Sequence, residues 1–132
     1  MQEKIMQEKI DTITFNDVQY VRKDQAQANQ PAKELDGLKY VIVRTYSAGV
    51  FAGYLKEEKE KEQVVILLQA RRLYQWAGSA TLSQMAMEGT TNPNGCKFPM
   101  PVAEIKLFQV IEVAPTTEKA RLSIASVKEW KC

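Results

Sequence analysis

The residues with most chemistry to offer lie in one stretch, Ala70 to Ala86, ARRLYQWAGSATLSQMA. Adjacent arginines, Arg71 and Arg72, end a β-prone run; Tyr74 and Trp76 follow, and Gly78-Ser79-Ala80-Thr81 leads into a helical pattern. A helix start presents unpaired amide N–H groups and a partial positive charge, so it attracts phosphate. Arginine holds phosphate through a bidentate fork, and an indole offers a flat face on which a base stacks. Gly78 and Ala80 leave room for a ligand at the backbone. The nucleotide-type expectation assigns Arg71 and Arg72 to phosphates, Trp76 to a base, and Ser79, Thr81 and Ser83 to the donors of the helix start.

An architectural reading of the same residues stands beside it. Thr81 and Gln84 fit a capping box, in which the hydroxyl only caps the helix. Trp76 fits plain core, and an arginine stem can cover apolar surface. Neither GxxxxGK[ST] nor GxGxxG occurs. In a second cluster, Asn92-Pro93-Asn94-Gly95-Cys96-Lys97, the side chains of Asn92 and Lys97 would close over a ligand, although Asn-Pro and Asn-Gly are first of all turn chemistry. Arg44 and Tyr46, at the end of a strand, either line the same pocket or sit on the solvated face.

Catalysis and metal binding have little to work with. The chain has no histidine, which removes the usual general base at neutral pH, the commonest metal ligand and every Ser-His-Asp or Cys-His arrangement. Cys96 and Cys132 have no CxxC spacing, so neither a zinc site nor a disulfide framework is expected, and a reducing cytosol is the natural compartment. Six of the sixteen carboxylates lie in the run Lys56 to Glu62 and in the repeated MQEKI of the first ten residues, where water surrounds them, and no pair stands out as an acid and a base. The expectation is a protein that is no enzyme and uses neither cofactor nor metal.

These residues need a scaffold, and 132 residues suffice for one domain with one modest core. Hydrophobic residues at 45% and charged ones at 26% are an ordinary globular balance. A net charge of +2 is too small for bulk electrostatic binding to nucleic acid. Neither an apolar leader nor an apolar run of membrane-spanning length is visible.

Residues 1–38 read as an N-terminal arm, a hairpin of Thr12–Phe15 and Val18–Arg22 around Asn16-Asp17 and then a polar linker from Asp24 to Leu38. Residues 39–132 read as a single ligand-binding domain. Its strands are Tyr40–Tyr46, Val50–Lys56 with Gly53 at a bulge or close approach, Gln63–Ala70 buried on both faces, and Glu104–Val113. The charged run between Lys56 and Glu62 reads as a solvated hairpin tip. Helices are expected over Ser79–Glu88, ended by Gly89, and after Pro115, with Ala120, Ile124 and Val127 facing inward. Thr90 to Pro101 reads as a long loop, and Trp130 as packing the tail onto the body. The fold class is α+β, a mainly antiparallel sheet of about five strands with two short helices plus the arm.

The segments YVIVRTYSAGVFAGYL (Tyr40 to Leu55), ARRLYQWAGSATLSQMAMEGT (Ala70 to Thr90), NPNGCKFPMPVAEI (Asn92 to Ile105) and VIEVAPTTEKA (Val110 to Ala120), with Trp130-Lys131, resemble a family of small phage and prophage proteins of unknown function. In size and layout the chain also resembles the phage Thoeris anti-defence sponges. Those bind cyclic ADP-ribose isomers made by host TIR proteins, and related ones take cyclic oligonucleotides of the CBASS system. The resemblance implies a homo-oligomer with pockets near subunit interfaces, sequestering an immune signal in the host cytosol without catalysis. Gln75 stands where the relatives more often carry an aromatic, which alters the stacking surface. Two rivals remain open: a module that inhibits a host protein through exposed hairpins, and a single-stranded nucleic-acid binder using Tyr46, Trp76 and the arginines.

Overall fold

The computed structural model describes residues 12–15, 18–21 and 30–132. The MQEKI repeat, the Asn16-Asp17 turn, Arg22 and the linker up to Asn29 lie outside the described residues. Within the arm, β1 (Thr12–Phe15) pairs antiparallel with β2 (Val18–Val21), Thr12 opposite Val21 and Phe15 opposite Val18.

The body is an α+β domain of five antiparallel strands: β3 (Tyr40–Thr45), β4 (Val50–Lys59), β5 (Val64–Arg72), β6 (Val102–Leu107) and β7 (Val110–Pro115). Two helices complete it, α1 (Leu82–Glu88) and α2 (Glu118–Ser126). Apolar and β-branched residues make β3 and β5 strands that are buried along most of their length. Strand β4 runs further into the charged segment than its composition suggests, and only Glu60–Glu62 form the 3-10 turn at the tip. Gly53 sits at a register shift between β4 and β5, and a Cβ there would come within 3.0 Å of the Leu68 carbonyl oxygen.

The stretch read as one strand, Glu104 to Val113, is two. Gln109 takes a φ of 57° and breaks it, and β6 and β7 then lie at opposite ends of the order β6-β5-β4-β3-β7. Only Phe108 and Gln109 separate them, so the sheet has to curl until its ends meet. At the meeting point Val110 N donates to Gln63 O (2.9 Å) while Val110 pairs with Thr45.

The curl explains why the central strands are buried on both faces. Val41, Val43, Phe51, Val65, Leu67, Ala70, Leu107 and Val110 form the inner cluster. Tyr40, Ile42, Ala52, Tyr54 and Leu73 face outward and are covered by Met85 and Ala86 of α1 and Ile124 of α2. Strand alternation sends successive residues to opposite sides. Thr81 caps α1 by accepting from Gln84 N (3.1 Å), and Thr117 caps α2 by accepting from Ala120 N (3.0 Å). Residues 30–38, read as linker, are stitched to the body instead: Ala32 is buried and donates to Thr116 O, and Glu118 N donates to Gln30 O.

Candidate functional site

The residues expected to form one pocket are distributed over several places. Arg71 is 6% exposed, and its guanidinium donates to four backbone carbonyls: Pro99 O (2.9 Å), Ile124 O (2.7 Å), Phe98 O (3.1 Å) and Val127 O (2.6 Å). That engages four of its five N–H groups, so Arg71 offers no fork to a phosphate. Arg72 points to the other side of β5. It donates to Ala48 O (2.5 Å) and lies 4.3 Å over the Phe51 ring, closing the end of the curl.

Trp76 is half-buried and packs against the outer core, rather than standing free as a platform. Ser79 donates to Thr81 O (3.3 Å), Thr81 is the helix cap, and Ser83 is exposed on the first turn of α1. Gln84 completes the box one residue early, its Oε1 accepting from Ala80 N (2.8 Å). The helix start is thus closed by its own side chains. Gly78, expected to admit a ligand, admits the chain itself: at φ 77° its open face meets Thr90, Thr91 and Asn92, and Thr90 bonds through its hydroxyl to Ala77 O. Asn92 opens the 3-10 turn Pro93–Gly95 and donates its N–H to Thr90 Oγ1 (3.0 Å). Arg44 pairs with Glu112 (3.0 Å) on the outer surface, and Tyr46 is 77% exposed next to the β6–β7 link, its N–H on Gln109 O.

Two assemblies do form. The first is aromatic and open to solvent. Tyr74 and Trp130 stack with ring centroids 5.4 Å apart and planes within 6°, and the Lys97 Nζ lies 5.5 Å from the indole centroid. Tyr74 is 56% and Trp130 43% exposed. Backbone pairing places them: Gln75 bridges Lys97, Phe98 bridges Glu129, and Trp130 N donates to Phe98 O (3.0 Å). The indole on the surface is therefore Trp130, where Trp76 was expected. Nothing local in the sequence pairs Tyr74 with a residue so distant.

The second is a cavity of about 230 Å³ between the outer face of the sheet and α2, lined by Tyr40, Tyr54, Gln69, Arg71, Arg121 and Glu129 among others. Only Arg71 was expected among those six. Tyr40 and Tyr54 meet edge to face at 4.9 Å. Burial, with the neighbouring Tyr54, pushes the Tyr40 hydroxyl up to about 12, so it stays protonated. Burial also lowers the Arg71 guanidinium from its ordinary value. Arg121 grips Glu118 through Nε–Oε1 (2.8 Å) and Nη2–Oε2 (2.6 Å) and reaches Tyr54 Oη through Nη1 (3.4 Å). This fork holds the Glu118 carboxyl down at about 2 and raises the Arg121 pKa.

Among the described residues no group of three or more His, Cys, Asp or Glu side chains is placed to hold a metal ion, and no helix is long and apolar enough to cross a membrane. The fold and its two assemblies define a small α+β domain with a polar cleft beside an open aromatic stack. Residues 38–124 match the domain of unknown function DUF6948, and the chain belongs to that family. No curated protein and no solved structure matches it.

Proposed function

We propose that this domain binds a nucleotide-type ligand without transforming it, acting in the host cytosol as a phage counter-defence trap for a cyclic nucleotide signal, a cyclic ADP-ribose isomer or a cyclic oligonucleotide. The observation that carries this reading is the open Tyr74–Trp130 stack with the Lys97 ammonium beside it. Aromatic faces take a base and the ammonium takes a phosphate, and neither needs a general base. A flat stack covers a base from one side only. A second copy of the chain closing over it would supply the other wall, which is where a homo-oligomer with pockets near its subunit interfaces enters the proposal.

The test is calorimetry of the pure protein with each cyclic ADP-ribose isomer and with cyclic di- and trinucleotides. Trp130→Ala is expected to weaken binding roughly 10- to 100-fold, the range for loss of one base-stacking partner, with the circular dichroism spectrum unchanged. Absence of heat with every one of these ligands rejects the reading. A single-stranded nucleic acid would use the same stack, with Lys128 and Lys131 flanking Trp130 in the chain. A steep loss of oligonucleotide affinity with added salt selects that ligand instead.

A further inference from the structure

The cleft beneath α2 differs in kind from the aromatic stack. Arg71 is buried, and its four partners are carbonyl oxygens, which satisfy N–H groups but carry no net charge. Among the described residues it has no salt bridge; the carboxylate that acts on it is Glu129, an exposed residue that also lines the cleft. An unneutralised cation in a wall of low dielectric favours an anion beside it.

The hydrogen-bonding capacity of the wall points the same way. Tyr40 is 8% exposed and lines the cleft, and among the described residues its hydroxyl has no hydrogen-bond partner. A buried hydroxyl without a partner is costly, so it marks a place for an acceptor. The Tyr54 oxygen accepts from Arg121, which leaves the Tyr54 proton free to be donated. Arg71 keeps its fifth N–H, and Gln69 contributes an amide. Arg121 itself is neutralised by Glu118, so its charge adds little.

Gln69 is also strained. It has a φ of 51° inside β5, whereas the other non-glycine residues of positive φ among the described residues, Asp36, Gln63 and Gln109, lie in turns or links. Left-handed backbone at a non-glycine residue costs about 1 kcal/mol or more and persists where the surroundings hold it, often at binding sites. The bulge opposite Gly53 is what places Gln69 there.

We propose that this cleft is a binding site for a small oxyanion, a phosphoryl or carboxylate group, received by Tyr40, Tyr54, Gln69 and the remaining N–H of Arg71, with the exposed Glu129 opposing its entry. The volume of about 230 Å³ suits such a group with its waters and is too small for a whole dinucleotide. This site stands independently of the aromatic stack. Phosphate binding here with no response to cyclic nucleotides removes the signal trap and leaves the oxyanion site in place.

The experiment is a titration of the ¹⁵N-labelled protein with inorganic phosphate and, separately, with acetate at constant ionic strength, followed by amide and side-chain resonances. Saturable shifts are expected at the Gln69 side-chain amide and the Arg71 Nε–H, and the tighter of the two anions tells phosphoryl from carboxylate. Tyr40→Phe, which keeps the ring, weakens binding about tenfold, the effect of one hydrogen bond to a charged group. Glu129→Gln, at an exposed position, tightens it by up to about fivefold. Shifts that never saturate, shifts spread over surface lysines, or a Tyr40→Phe protein that binds like the parent overturn the site.

Discussion

Alternate residues of the same three strands meet two unlike environments. Inside the curl, Val41, Val43, Phe51, Val65 and Leu67 form an apolar cluster with Leu107 and Val110. On the outer face of the same strands, Tyr40, Tyr54 and Arg71 place two hydroxyls and a guanidinium under α2. The inner face has only shape with which to hold the fold together. The outer face holds it with directional bonds and still has donors to spare, which is why the proposed oxyanion site falls there.

The largest effect is expected from Arg71→Met, which keeps most of the stem and removes the donors. Four carbonyls then lose a partner, and the domain is destabilised by about 4 kcal/mol or more, measured by urea denaturation. Leu67→Ala, fully buried on the inner face, should cost about 3 kcal/mol in the same assay. A smaller cost for Arg71→Met than for Leu67→Ala would overthrow the view that the outer face is a structural equal. Arg72→Met, which removes one carbonyl bond and the contact with Phe51, costs about 1 kcal/mol.

The smallest effect is a pH dependence. Glu118 titrates at about 2 in the folded protein, below its ordinary 4.5, because Arg121 and the Lys33 N–H bind its carboxylate. The folded state therefore holds this proton less well than the unfolded chain. Its contribution is fully present above about 4.5 and is lost as the pH falls toward 2. Glu118→Gln should flatten that part of the acid stability curve and cost about 1 kcal/mol at neutral pH. An unchanged curve would show that the fork contributes nothing.

Much of the architecture was legible because local chemistry and tertiary demand agree. The β-branched run at Tyr40–Thr45, the Thr81 cap and the Ala120 and Ile124 spacing each say what the structure shows. The break at Gln109 carried no glycine or proline to announce it, and the curl follows from that break. The candidate site was less legible. Arg71 and Arg72 are neighbours on a strand, and the period of two already forbids both from facing one pocket. That signal leaves at most one of the two for a pocket, and the residues alone do not say which. Tyr74 with Trp130, and Tyr40 with Arg121, meet only through the fold, so no window of sequence contains them.

The Arg71 guanidinium rivets together two pieces of chain that share no strand, Phe98–Pro99 of the long loop and the Ile124–Val127 end of α2. Neither can peel away without breaking bonds to the same ion. In hydrogen exchange their amides should therefore open as one cooperative unit, with a common opening free energy that Arg71→Met splits into two.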